Sequence, residues 1–168
     1  MKVFEKKKPF LFATAFFIVL LAGILLAGPL FFSSGTHSLL VKDPRNEAVY
    51  YNVEVKSGDI FTFTCRNSVS KSVVTGTFMI TGEGLIEPLT TVFTAYGPGL
   101  PIDFMEEYVI EDGAVTIFHK EEPRENIRLW VSPQTEETIY LHNQVYPLST
   151  LSESPLLLQI YLIRNNLR

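Results

Sequence analysis

Residues 60–65 read Ile-Phe-Thr-Phe-Thr-Cys, and this short run decides the class of fold. Phe61, Phe63 and Cys65 fall on one side of an extended chain, and Thr62 and Thr64 fall on the other. Period-two alternation of this kind marks a strand with one face buried. Ser57-Gly58-Asp59 precedes the run as a turn, and Ala48–Val55 forms a similar run before that. Downstream, Val73–Thr81 (VVTGTFMIT) repeats the pattern until Gly82-Glu83-Gly84 breaks it. Leu89–Tyr96 is rich in β-branched and aromatic residues, which favour strands. Glu107–Ile110 and Ala114–His119 flank Glu111-Asp112-Gly113, a hairpin signal. Ile127, Leu129 and Val131 alternate with Arg128 and Trp130. Thr138–Leu141 and Val145–Leu148 flank His142-Asn143-Gln144, a second hairpin candidate. In the last run Leu156, Leu158, Ile160 and Leu162 alternate. Ser154-Pro155 could instead open a helix there, as N-cap and first helical residue. The pattern predicts an all-β fold, a small sandwich or partly open barrel of about 7–9 strands.

The other decisive stretch is Phe10–Phe32 (FLFATAFFIVLLAGILLAGPLFF). No Asp, Glu, Lys or Arg occurs between Lys8 and Lys42. A helix of about 20 apolar residues spans the hydrocarbon core of a bilayer, so this segment is expected to cross a membrane once. Lys2, Lys6, Lys7 and Lys8 precede it, which keeps the N-terminus in the cytoplasm and exports the rest. A cleaved signal peptide is the competing reading, with Ser33-Ser34-Gly35 as its better cleavage context. The expected organisation is a basic cytoplasmic tail over 1–8, a signal-anchor helix over 9–32, a tether over 33–46 and an extracytoplasmic β domain over 47–168. About 130 residues beyond the anchor suffice for one domain with a real core.

The chain has a formal net charge of −4, and the anchor-proximal lysines lie on the other side of the expected membrane. An acidic exported part argues against nucleic acid as a partner. Glu106-Glu107, Glu111-Asp112, Glu121-Glu122 and Glu136-Glu137 read as solvated loops or edges. No calcium-loop spacing accompanies them. Cys65 is the single cysteine, so no intramolecular disulfide is available. It reads as a buried apolar thiol, and a nucleophilic role would require a nearby base. His37, His119 and His142 are widely spaced and form no metal-ligand motif. Neither a nucleophile elbow nor a phosphate loop is present. No catalytic, cofactor-binding or metal-binding residues are therefore assigned.

Two local features stand out. Tyr96-Gly97-Pro98-Gly99-Leu100-Pro101 cannot continue a strand, because its prolines remove donors and its glycines favour unusual φ. It is either a structural corner or a stiff recognition loop. Cys65-Arg66-Asn67-Ser68-Val69-Ser70-Lys71-Ser72 is either a solvated strand end and loop or a polar contact surface.

Together these segments resemble the bacterial family called domain of unknown function 1850. The matching positions are Asn67-Ser68-Val69 and, some 25 residues on, Tyr96 to Pro101. Thr138–His142, Val145–Leu151 and Leu156–Ile163 are similar to its C-terminal order of strands, so the resemblance covers most of 48–163. Asn67 stands where the family commonly has His, and Ser70 and Val73 where it has Glu and Pro. What this chain retains is the shape-determining part, which implies a scaffold or contact role. The resemblance implies a setting as well, because members are often encoded beside TAXI-type tripartite ATP-independent periplasmic (TRAP) transporters. The expectation is a non-enzymatic accessory or interaction subunit of such a system. Its partners would be the membrane and a transporter permease or substrate-binding protein. A small-ligand-binding β module, using a barrel mouth or an intersheet cleft, is the alternative.

Overall fold

The structure, a computed structural model, describes residues 36–95 and 107–165. The expected cytoplasmic tail and anchor helix lie outside the described residues, as does the Tyr96–Pro101 motif. Among the described residues there are eleven strands. They are β1 (His37–Lys42), β2 (Val49–Val55), β3 (Ile60–Arg66), β4 (Val73–Ile80), β5 (Ile86–Phe93), β6 (Glu107–Glu111), β7 (Ala114–Phe118), β8 (Asn126–Val131), β9 (Thr138–Leu141), β10 (Gln144–Pro147) and β11 (Leu156–Arg164). The expected seven to nine strands thus become eleven, and no described helix is long and apolar enough to cross a membrane.

The strands form two sheets that are antiparallel throughout, and neither closes into a barrel. The smaller has the order β2-β1-β11-β8, the larger β10-β9-β3-β4-β5-β7-β6. Leu39, Val41, Leu158 and Ile160 from the first and Phe61, Ile80 and Ile139 from the second share one core. Phe61 is fully buried, as the IFTFTC alternation requires, and its ring stacks on that of its cross-strand partner Phe78. A smaller core of Phe93, Val115 and Ile117, with Val74 against it, lies on the β4, β5 and β7 part of the larger sheet.

Turn chemistry sets the connections. Gly58, at φ +88°, carries the chain from β2 in one sheet to β3 in the other, and Asp59 fixes that corner by accepting from the Lys56 amide at 2.8 Å. Two hairpins turn on two residues each: Asp112-Gly113 (φ +51° and +79°) and His142-Asn143 (φ +51° and +60°). Positive φ at both positions matches the right-handed twist of the flanking strands. Between β4 and β5, Gly84 has φ +81°, and a Cβ there would lie 2.7 Å from the buried His37 ring. Pro88 would disrupt a regular central ladder. It is accommodated where the β4–β5 register shifts, with Thr77 opposite Thr90 but Phe78 opposite Pro88.

Residues 37–42 correct the expected tether over 33–46. They are β1, hydrogen-bonded between β2 and β11. His37, Ser38, Leu39, Leu40 and Val41 are all buried. A strand covered on both faces does not alternate, so the periodicity that revealed β3 is absent. The C-terminal run, where alternation favours a strand over a helix, is strand β11, with Leu156, Leu158 and Ile160 facing the core.

Candidate interaction surface

Asn67, Ser68 and Val69 form the tip of the β3–β4 hairpin. The Asn67 side-chain carbonyl accepts from the Val69 and Ser70 amides, both at 3.0 Å. Its backbone bonds Ser72 and Lys71 across the loop, and Lys71 adopts φ +58°. An Asn side chain that mimics a backbone turn accounts for this residue structurally. Arg66, one of the two cations of the segment, is already engaged. Its Nη2 donates to Glu136 at 2.9 Å and its Nη1 to the Lys71 carbonyl at 3.0 Å. Val69 and Ser68 remain exposed at the tip.

Glu137 departs from the expected solvated pair. Glu136 is exposed and meets Arg66, whereas Glu137 is buried, with 4% of its surface accessible. The Glu137 carboxylate accepts from the Ser132 amide at 3.1 Å and from the Thr135 hydroxyl. Its carbonyl accepts from the Leu148 and Ser149 amides. This residue ties the 132–135 turn to the end of β10. It also lies near Cys65, whose thiol is pushed up in pKa by burial first and by the Glu137 charge second. A thiol held neutral in this way is a poor nucleophile.

The three histidines serve separate neighbourhoods. His37 is buried in β1, His119 Nε2 bonds the Thr91 hydroxyl at 2.8 Å, and His142 Nε2 meets Asp59 at 2.8 Å. Among the described residues no group of three His, Cys, Asp or Glu side chains could hold a metal ion.

The most unusual surface is β6, an end strand of the larger sheet, in which every residue is exposed. Tyr108, Val109 and Ile110 show 43, 47 and 61% of their surface, and Phe118 on the adjoining β7 shows 38%. Register pairs Tyr108 with Ile117 and Ile110 with Val115, while Val109 pairs with Thr116. Both faces of the ribbon therefore present apolar groups. Glu107 and Glu111 close its two ends, and Glu107 meets Lys120 at 3.4 Å. The sequence signal was three consecutive apolar residues between glutamates, which breaks the alternation of a half-buried strand.

Two of the other end strands are blunter. β10 carries Pro147, and β8 mixes the exposed Trp130 with Arg128. Sequence reasoning placed its candidate loop, Tyr96–Pro101, in the connection that leaves β5 and re-enters at β6. Those two strands flank β7 in the sheet.

A family model described as domain of unknown function (DUF1850) matches residues 61–148. The matched span runs from Phe61 in β3 through β10, so it takes in every strand of the larger sheet together with β8, and it leaves out β1, β2 and β11. No curated protein and no solved structure matches the chain.

Proposed function

The chain belongs to the DUF1850 family, and on that premise we propose that it is a non-enzymatic interaction subunit. It would be tethered to the outer face of the cell membrane by Phe10–Phe32 and serve a TRAP-type solute transport system. The observation that carries this reading is the wholly exposed β6 strand. An uncovered apolar end strand invites another extended segment to add to the sheet, with main-chain bonds giving affinity and side chains giving selectivity. The charges indicate which segment. Antiparallel pairing of two β6 strands about Val109 would set Glu107 of each copy against Glu111 of the other, and like charges directly opposite are destabilising. A partner strand with apolar residues between Lys or Arg residues would meet the same surface favourably.

The transporter assignment draws on the setting that the family resemblance implies. The partner's extended form and basic flanks draw on β6. The test is co-isolation of the full-length protein from its native membrane in gentle detergent. Wild type is expected to bring a transporter permease or its binding protein, and Ile110→Lys is expected to lose that partner while keeping the wild-type unfolding midpoint. Equal recovery of the partner by Ile110→Lys removes β6 from the interface. The absence of any transporter component with wild type removes the transport assignment.

A further inference from the structure

A narrow slot lies between the two sheets. Phe61 and Phe63 of β3 and Phe78 of β4 form one wall, and Ile127 and Leu129 of β8 with Ile160 of β11 form the other. Its volume is about 150 Å³, and its lining is apolar throughout. β8 ends the smaller sheet, while Phe61 and Ile160 belong to the main core.

The slot has a local cause. Gly76 pairs with Phe63 and contributes no side chain to the inner face. The Phe78 ring leans into that vacancy, with a ring carbon 3.0 Å from where a Cβ would stand. There it stacks on Phe61 at a centroid distance of 5.1 Å and an interplanar angle of 16°. This stacked pair and Phe63 line the slot from the larger sheet, and branched aliphatic side chains line it from the smaller one.

We infer that this slot is a binding site for a small, uncharged, single-ring aromatic molecule. Three features select that class. An apolar space of about this size is large enough for a benzene-sized guest. A lining of three phenyl rings and three branched aliphatic groups favours an aromatic guest, which packs against ring faces or edges. No lining group can compensate a charge or a strong hydrogen-bonding group, so carrying one into the slot costs its full desolvation. This site is independent of β6, and the two proposals stand or fall separately.

The test uses the full-length protein in detergent micelles, with methyl NMR of Ile127, Leu129 and Ile160 as the readout. Fluorobenzene is the probe and benzoate its charged counterpart. Fluorobenzene is expected to shift these methyls selectively and saturably, with benzoate at least about tenfold weaker. Leu129→Phe fills the slot and is expected to abolish the response while the remaining methyls keep their dispersion. Should that variant fail to fold, Phe78→Leu, which widens the slot, is expected to admit naphthalene where wild type does not. Unchanged slot methyls in saturated wild type would overturn the proposal. So would an equal response to benzoate, a response retained in folded Leu129→Phe, or naphthalene binding no better in Phe78→Leu than in wild type.

Discussion

Asp43 and Glu137 show how single carboxylates hold this fold. Asp43 follows β1 and is buried, and Arg45 reaches back to it through its amide at 2.8 Å, Nε at 3.0 Å and Nη2 at 2.9 Å. The guanidinium hydrogen bonds, and then that from the amide, hold the carboxyl below its ordinary range. An unfolded Asp titrates near about 3.9. Between that value and the lower folded one the unfolded chain binds more protons, so stability rises with pH. The contribution is complete above pH about 4 and is lost as pH falls through the folded pKa. Urea unfolding followed between pH 2 and 6 is expected to show this slope in wild type and a shallower one in Asp43→Asn. Glu137 offers a second check. Glu137→Ala leaves the Ser132 amide without its side-chain acceptor and is expected to cost about 1–3 kcal/mol. Glu136→Ala breaks only an exposed pair and is expected to cost less than about 1 kcal/mol in the same assay. Composition could not separate these neighbours. Which of two adjacent glutamates turns inward depends on the 132–135 turn, and that turn is set by tertiary contacts.

Among the elements, those with one wet face were legible. β3, β4, β8 and β11 alternate because one sheet face meets the core and the other meets solvent. The Asp112-Gly113 and His142-Asn143 hairpins were visible because few residues tolerate paired positive φ. β1 was not legible, since neighbours cover both its faces and it shows no period-two alternation. β6 was legible as a strand but its exposure was not, because a strand's place in the sheet order depends on pairings distant in sequence. The Asn67 loop could be found from its residues, while its inward hydrogen bonding, which makes Asn67 a loop former, needed geometry. The position of β1 makes a prediction about the domain boundary. A soluble chain beginning at residue 47, the start suggested by sequence, lacks the strand that joins β2 to β11. It is expected to lack cooperative unfolding by circular dichroism. A chain beginning at residue 35 is expected to unfold in one transition, and cooperative unfolding of both would mean that β1 is dispensable.

At the scale of the whole molecule, the first and last described strands pair along their length, from His37 opposite Arg164 to Lys42 opposite Gln159. Ser38 Oγ and Asn165 Oδ1 extend that closure at 3.0 Å. The smaller sheet thus joins the two ends of the domain, whereas the family-matched span holds all of the larger sheet, including β6. The central claim is that a partner of the transport system adds to the domain along β6. Site-specific photocrosslinking in intact cells tests it most directly, with a benzophenone side chain placed at Ile110 or at Val145. Both positions are exposed, and they lie on opposite end strands of one sheet. The account predicts a covalent adduct with a transporter component from position 110 and none from position 145. An adduct from 145 alone, or no adduct from 110 in cells that contain the transporter, would contradict it.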